Sequence, residues 1–155
     1  MIPIQTYYTI ESNIKFYAHE QHELWINGRD VLREIGANVL SLSVLRSAVV
    51  VVVDDPDLHG NSVADSYQSD RAGNVFAFTQ QGELAWNIRD LVAPLHFPFC
   101  AGHPLTAEDR ELYQKWFNVS FEENHEYYVA QNAADGYFLI DLTEQRLLTQ
   151  LTMRS

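Results

Sequence analysis

Three zinc-favouring side chains fall within His96-Phe97-Pro98-Phe99-Cys100-Ala101-Gly102-His103, and His125 offers a fourth. Imidazole and thiolate suit zinc, and a loop can wrap such a set tetrahedrally, so His96, Cys100 and His103 are the residues a metal-dependent enzyme would use here. The spacing matches no common finger or deaminase pattern. The intervening Phe and Pro residues suit a loop tucked onto the core, with Cys100 a small buried apolar residue. His19-Glu20-Gln21-His22-Glu23 also brings imidazole and carboxylate together. Zinc proteases, however, place two histidines four apart on a helix with Glu after the first, and here they are three apart. A strand would send the two rings to opposite faces, so a solvated polar segment is expected.

Carboxylates form three groups. Asp54, Asp55 and Asp57 directly follow a run of valines, where α/β enzymes often hold magnesium at a strand's carboxyl end. No Gly-rich phosphate loop, GxSxG elbow or Lys/Arg clamp accompanies them, which leaves a solvated turn or a contact for a basic partner. Glu122, Glu123 and Glu126 form the second group, and Glu108, Asp109 and Glu111 the third. The third has a structural reason, because negative charge in a first helical turn complements the helix dipole. Asp54, Asp55, Asp57, Glu122, Glu123 and Glu126 remain as the carboxylates expected to face a partner.

The chain that must position these groups has 155 residues, 46% hydrophobic and 12% aromatic, enough for one domain spanning 1–155 with one core. Ten Lys and Arg stand against 21 Asp and Glu, a formal net charge of −11. Such a field repels phosphate backbones, which disfavours direct nucleic-acid binding, and speeds encounter with a basic protein. A single cysteine excludes an internal disulfide and fits a reducing compartment. No signal-peptide pattern opens the chain, and Ala48 to Val53, the longest apolar run, is too short to cross a bilayer, so a cytoplasmic location is expected.

The pattern predicts an α+β fold with a mainly antiparallel sheet. Val49 to Val53 lacks alternation, as a central strand covered on both faces would. Asn27-Gly28 marks a turn after Glu23 to Ile26; beyond it, residues 30 to 35 suit a short helix capped by Asp30, and a second hairpin strand fits residues 29 to 35. Residues 74 to 79 and 83 to 88 read as a hairpin across Gln80-Gln81-Gly82, with Leu84, Trp86 and Ile88 on one face. Three prolines predict an irregular 89–105. Thr106 and Asp109 form a capping box for the clearest helix, 107 to 117, with Leu112, Tyr113, Trp116 and Phe117 on one stripe. Residues 126 to 151 predict a three-stranded meander through Asp135-Gly136. Trp25, Trp86 and Trp116 each lie in an apolar pattern and are expected in the core.

The hairpin Asn74-Val75-Phe76-Ala77-Phe78-Thr79-Gln80-Gln81-Gly82-Glu83-Leu84-Ala85-Trp86 resembles the strand pair of quinoprotein-type propeller blades, but Thr79 replaces the usual Asp and one chain of this length cannot supply the blades. That same hairpin, Leu24 to Leu32 and Gly136 to Leu142 are similar in style to small acidic bacterial immunity proteins of polymorphic or contact-dependent toxin systems. This resemblance implies a cytoplasmic, non-enzymatic inhibitor of one toxin domain, often a nuclease, with no cofactor. The rival expectations are a metal-dependent enzyme using His96, Cys100 and His103 or the Asp54 group, and another acidic interaction protein such as an anti-defence factor that mimics nucleic acid. Purified protein is expected to hold no stoichiometric zinc; elemental analysis finding one zinc per chain, lost on Cys100→Ala, would put the enzyme first.

Overall fold

The computed structural model describes residues 14–17, 23–31, 39–54, 73–93, 98–132 and 135–152. They form three antiparallel sheets and one helix in four successive layers. Strands β1 (Ile14–Tyr17), β2 (Glu23–Ile26) and β3 (Arg29–Asp30) make a small first sheet in the order β1-β2-β3. Asn27 and Gly28, at φ 51° and 79°, turn β2 into β3, as that residue pair allows. Asp30 lies opposite Trp25 within the ladder, and Val31 N–H donates to Leu24 O at 2.9 Å. The hairpin alternative therefore holds for 29–31, and the rest of the alternative helix lies outside the described residues.

The middle sheet has the order β4-β5-β6-β7, from β4 (Val39–Val44), β5 (Val49–Val53), β6 (Val75–Phe78) and β7 (Leu84–Asn87). All five valines of β5 are fully buried. Val49, Val51 and Val53 pack with Phe78 against Leu24 and Ile26 of the first sheet. Val50 and Val52 pack with Val75, Ala77 and Trp86 against the third sheet. The missing alternation thus has its expected cause, a strand dry on both faces, where each valine contributes about 1.5 to 3 kcal/mol by leaving water.

The third sheet runs β11-β10-β9-β8, from β8 (Phe99–Pro104), β9 (Tyr127–Asn132), β10 (Gly136–Asp141) and β11 (Arg146–Thr152). The meander is as expected, with Asp135 at φ 61° in its first turn. β8 corrects the irregular reading of 89–105. Its prolines sit at the margins, Pro98 just before it and Pro104 its last residue, and an edge strand tolerates them there. One face of this sheet, Phe99, Tyr128, Ala130, Phe138 and Ile140, meets the middle sheet. On the other face Tyr127, Val129 and Leu139 are covered by Tyr113 of helix α1 (Ala107–Phe117) and by Val119 and Phe121 after it.

Two side-chain expectations change. The register of β6 and β7 shifts between Ala77 and Phe78, which pair with Trp86 and Leu84. The extra residue, Ala85, breaks the period-two alternation, so Leu84 lies opposite Phe78 and is 56% exposed while Trp86 is buried. Trp116 is 58% exposed and Leu112 is exposed beside it, whereas Tyr113 of the same stripe is packed into the apolar cluster beneath the helix.

Polar groups join the layers. The buried Asn74 amide donates to Val53 O (2.9 Å) and Phe99 O (2.6 Å) and accepts from Phe99 N–H (2.8 Å), which links β5 to β8. Where the β4 and β8 edges meet, Ser41 Oγ donates to Gly102 O at 3.0 Å. The Tyr128 hydroxyl lies over Gly102, where a Cβ would collide with it. Burial pushes that phenol well above its ordinary range; the neighbouring Ser41 and Ser43 hydroxyls ease the shift without a hydrogen bond of good geometry to it. Because β5 has no wet face, Val50→Thr and Val51→Thr should each destabilise by about 1 to 3 kcal/mol in urea unfolding. A loss at only one of these positions would mean that one face is solvated.

Candidate functional site

Helix α1 ends at Asn118, whose left-handed backbone (φ 54°) turns the chain back towards the sheet. Arg110 then secures the returning segment. Its Nη2 donates to His125 O at 2.6 Å, Nη1 donates to Glu122 O at 3.4 Å, and the guanidinium lies 4.9 Å over the Tyr127 ring. Phe121 meets that ring edge-on at 4.7 Å, and Glu122 N–H donates to Tyr127 Oη at 2.7 Å.

Two turns from other layers complete this end. Ser47 N–H, in the β4–β5 turn, donates to Glu126 Oε1 at 2.6 Å, while Glu126 N–H donates to Thr143 Oγ1 in the β10–β11 turn. His125 Nδ1 lies 2.8 Å from Asp141 Oδ2, and Glu144 N–H donates to Asp141 Oδ1 at 2.9 Å. Asp141 is buried, whereas Glu144 is exposed with Oε1 3.7 Å from His125 Nε2. The hydrogen bond to Asp141, helped by the charges of Asp141, Glu144 and Glu122, raises the imidazole above its ordinary 6.5 against the opposing effect of burial.

The expected partner-facing carboxylates divide. Glu122 and Glu123 are exposed and share this end with Glu126, whose carboxylate is committed to Ser47. Asp54 is half-buried at the far end of β5, beyond Val53, and Asp55 and Asp57 lie outside the described residues. The length of β5 separates Asp54 from the Ser47–Glu126 contact by roughly 20 Å. Asp109 of the third group completes the capping box, its carboxylate accepting from Thr106 N–H at 3.1 Å. Sequence reading missed Arg110, Asp141 and Glu144. Of these only Asp141 left a trace, an acidic residue at a strand end before Leu142-Thr143-Glu144.

The metal candidates do not assemble in what is described. Cys100 is exposed on the β8 edge rather than buried, its Sγ 3.5 Å from Gln131 O. His103 is exposed with Nδ1 3.0 Å from Pro104 O, and His96 lies outside the described residues. His103 stands opposite Val129, four residues along from His125, roughly 13 Å away. Among the described residues no group of three or more His, Cys, Asp or Glu could hold a metal ion. The segment His19 to Glu23 falls outside them apart from Glu23, the first residue of β2. A buried carboxylate on Nδ1 is how a general base is oriented, yet the Nε2 that would act faces Glu144.

No protein-family model, curated protein or solved structure matches the chain. Among the described residues no helix is long and apolar enough to cross a membrane. The two kinds of carboxylate at this end are separable by stability. Glu126→Ala leaves Ser47 N–H without its acceptor and should cost about 1 to 2 kcal/mol, whereas Glu123→Ala should stay within about 0.5 kcal/mol in the same urea titration.

Proposed function

We propose that the chain is a non-enzymatic acidic binding protein of the immunity type, which neutralises a basic toxin domain by covering its surface in the cytoplasm. The observation that carries this reading is the grouping of exposed Glu122, Glu123 and Glu144 at one end of the stack, on backbone held from three layers. Arg110 fixes the carbonyls of 122 and 125 and Asp141 fixes the turn bearing Glu144, so these charges sit on an ordered support. Pre-organised charge costs less ordering on binding and steers encounter with a basic surface. A net charge of −11 adds the long-range part of the same field.

A standard interface covers about 800 Å² on each partner and is therefore roughly 30 Å across. It reaches both Glu122 and Asp54 only when the partner lies along the length of β5; a partner docked at the Ser47 end meets Glu122 and not Asp54. The experiment is to test whether a toxin domain is encoded beside this protein's gene, the absence of one counting against the reading, and to measure association and dissociation rates with that domain at low and high salt. Glu122→Gln with Glu123→Gln should slow association, and raised salt should slow association more than it speeds dissociation, because rim charges act over about 8 Å at physiological ionic strength. Neutralising Asp54, Asp55 and Asp57 separately tells the two docking geometries apart. Unchanged kinetics in both sets of variants, with folding intact, would show that this acidity serves solubility.

A further inference from the structure

The imidazole of His125 reaches from the segment returning from α1 to Asp141 at the end of β10, just beyond the β9–β10 ladder, which Leu142 N–H extends by a bond to Glu126 O at 2.8 Å. Its support is asymmetric. Asp141 is 1% exposed and has its other oxygen occupied by Glu144 N–H, so it presents a fixed acceptor to Nδ1. His125 is half-buried in a segment also tied by Arg110 at the Glu122 and His125 carbonyls, by Tyr127 Oη at Glu122 N–H, by Phe121 packing, and at Glu126 by Ser47, Thr143 and Leu142. We propose that the His125–Asp141 contact is a pH-operated latch that tightens residues 122 to 126, and hence the Glu122 and Glu123 carboxylates, against the β10–β11 turn.

The groups facing this imidazole are Asp141 from β10, Glu144 from the following turn, Glu122 from its own segment, Arg110 from α1, which is bonded to its carbonyl, and Tyr127 from β9, whose ring lies 6.3 Å away. Three carboxylates against one guanidinium favour the imidazolium. The imidazolium adds an ion pair to the Nδ1–H to carboxylate hydrogen bond, which the neutral ring keeps in weaker form. Because His125 binds its proton more tightly folded than unfolded, the latch is fully engaged below about pH 6.5 and slackens as pH rises through the folded-state value. Rising pH thus loosens the segment, which its bonds to Arg110, Ser47, Thr143 and Leu142 still hold, while the loss of the imidazolium makes this end one charge more negative. That these changes regulate partner binding rests on the function proposed above; the latch itself is a property of the free protein.

The test uses the full chain without partner. The His125 ring is titrated by NMR while solvent exchange of the Glu122, His125 and Glu126 amides, corrected for its intrinsic pH dependence, is followed from about pH 5.5 to 8.5. The expected result is a midpoint above 6.5 and loss of amide protection on the same curve, with Arg110 and Tyr113 amides of α1 unaffected. Asp141→Asn should lower the His125 midpoint. His125→Gln should leave the segment slack at every pH. Should Asp141→Asn fail to fold, the wild-type titration and His125→Gln decide. A midpoint at or below 6.5, or protection that stays flat through the titration, overturns the latch whatever the binding kinetics show.

Discussion

Five consecutive valines with no wet face impose the architecture. A strand that is apolar on one side needs one cover, but β5 needs two, and the chain supplies them from opposite directions in sequence: Leu24 and Ile26 before it, Phe99, Tyr128, Phe138 and Ile140 after it. The third sheet then repeats the problem. Tyr127 to Ala130 is buried throughout, and its outer face is closed by Tyr113, Val119 and Phe121. The layering therefore follows from one composition repeated outward, until helix α1 presents charged residues, Leu112 and Trp116 to solvent.

Apolar burial is non-directional, so packing alone fixes the register of these layers less sharply than bonds of defined geometry do. Direction-dependent bonds supply what packing lacks. Asn74 mimics a strand partner for Phe99 while holding Val53, and at the other end Glu126 reaches Ser47. The two contacts pin the middle and third sheets at both ends of β5. The Asn87 amide adds a local clamp, accepting from Gly73 N–H and donating to Gly73 O. Each group is a small polar side chain at a strand margin, where it leaves the apolar interior undisturbed.

This division explains what was legible in the sequence. Strands, turns and the capped helix were readable because their signals are local: Asn27-Gly28, Asp135-Gly136, Thr106 with Asp109, and the unbroken valines. Leu84 was misplaced because a bulge at Ala85 is a property of the strand pair rather than of either strand. Trp116 was misplaced because hydrophobic spacing does not say how deeply a helix face sinks into its neighbour. β8 was hidden by prolines whose harm depends on whether a strand is central or at an edge. The site was the least legible part. Arg110, His125 and Asp141 come from helix, returning segment and strand, and only the third dimension brings them together. The grouping of Glu122, Glu123 and Glu126 was visible as adjacency, but the commitment of Glu126 to Ser47 was not.

The doubly covered strand also has a history during synthesis. At about 5 to 20 residues per second, roughly 2 to 9 s pass between translation of Val53 and of Phe99, the first residue of its later cover, and the strands β9 and β10 arrive later still. Through that interval an uninterrupted run of five β-branched residues has one face unprotected, which is the composition most prone to self-association. Its immediate neighbours are Arg46 and Ser47 before Ala48, and Asp54, Asp55 and Pro56 after Val53. Charge and proline at the margins of such a run oppose stacking against a second nascent chain. These flanking residues guard the polypeptide before it has a fold to bind anything with, and this duty falls on Asp54 and Asp55 whichever surface the finished protein uses.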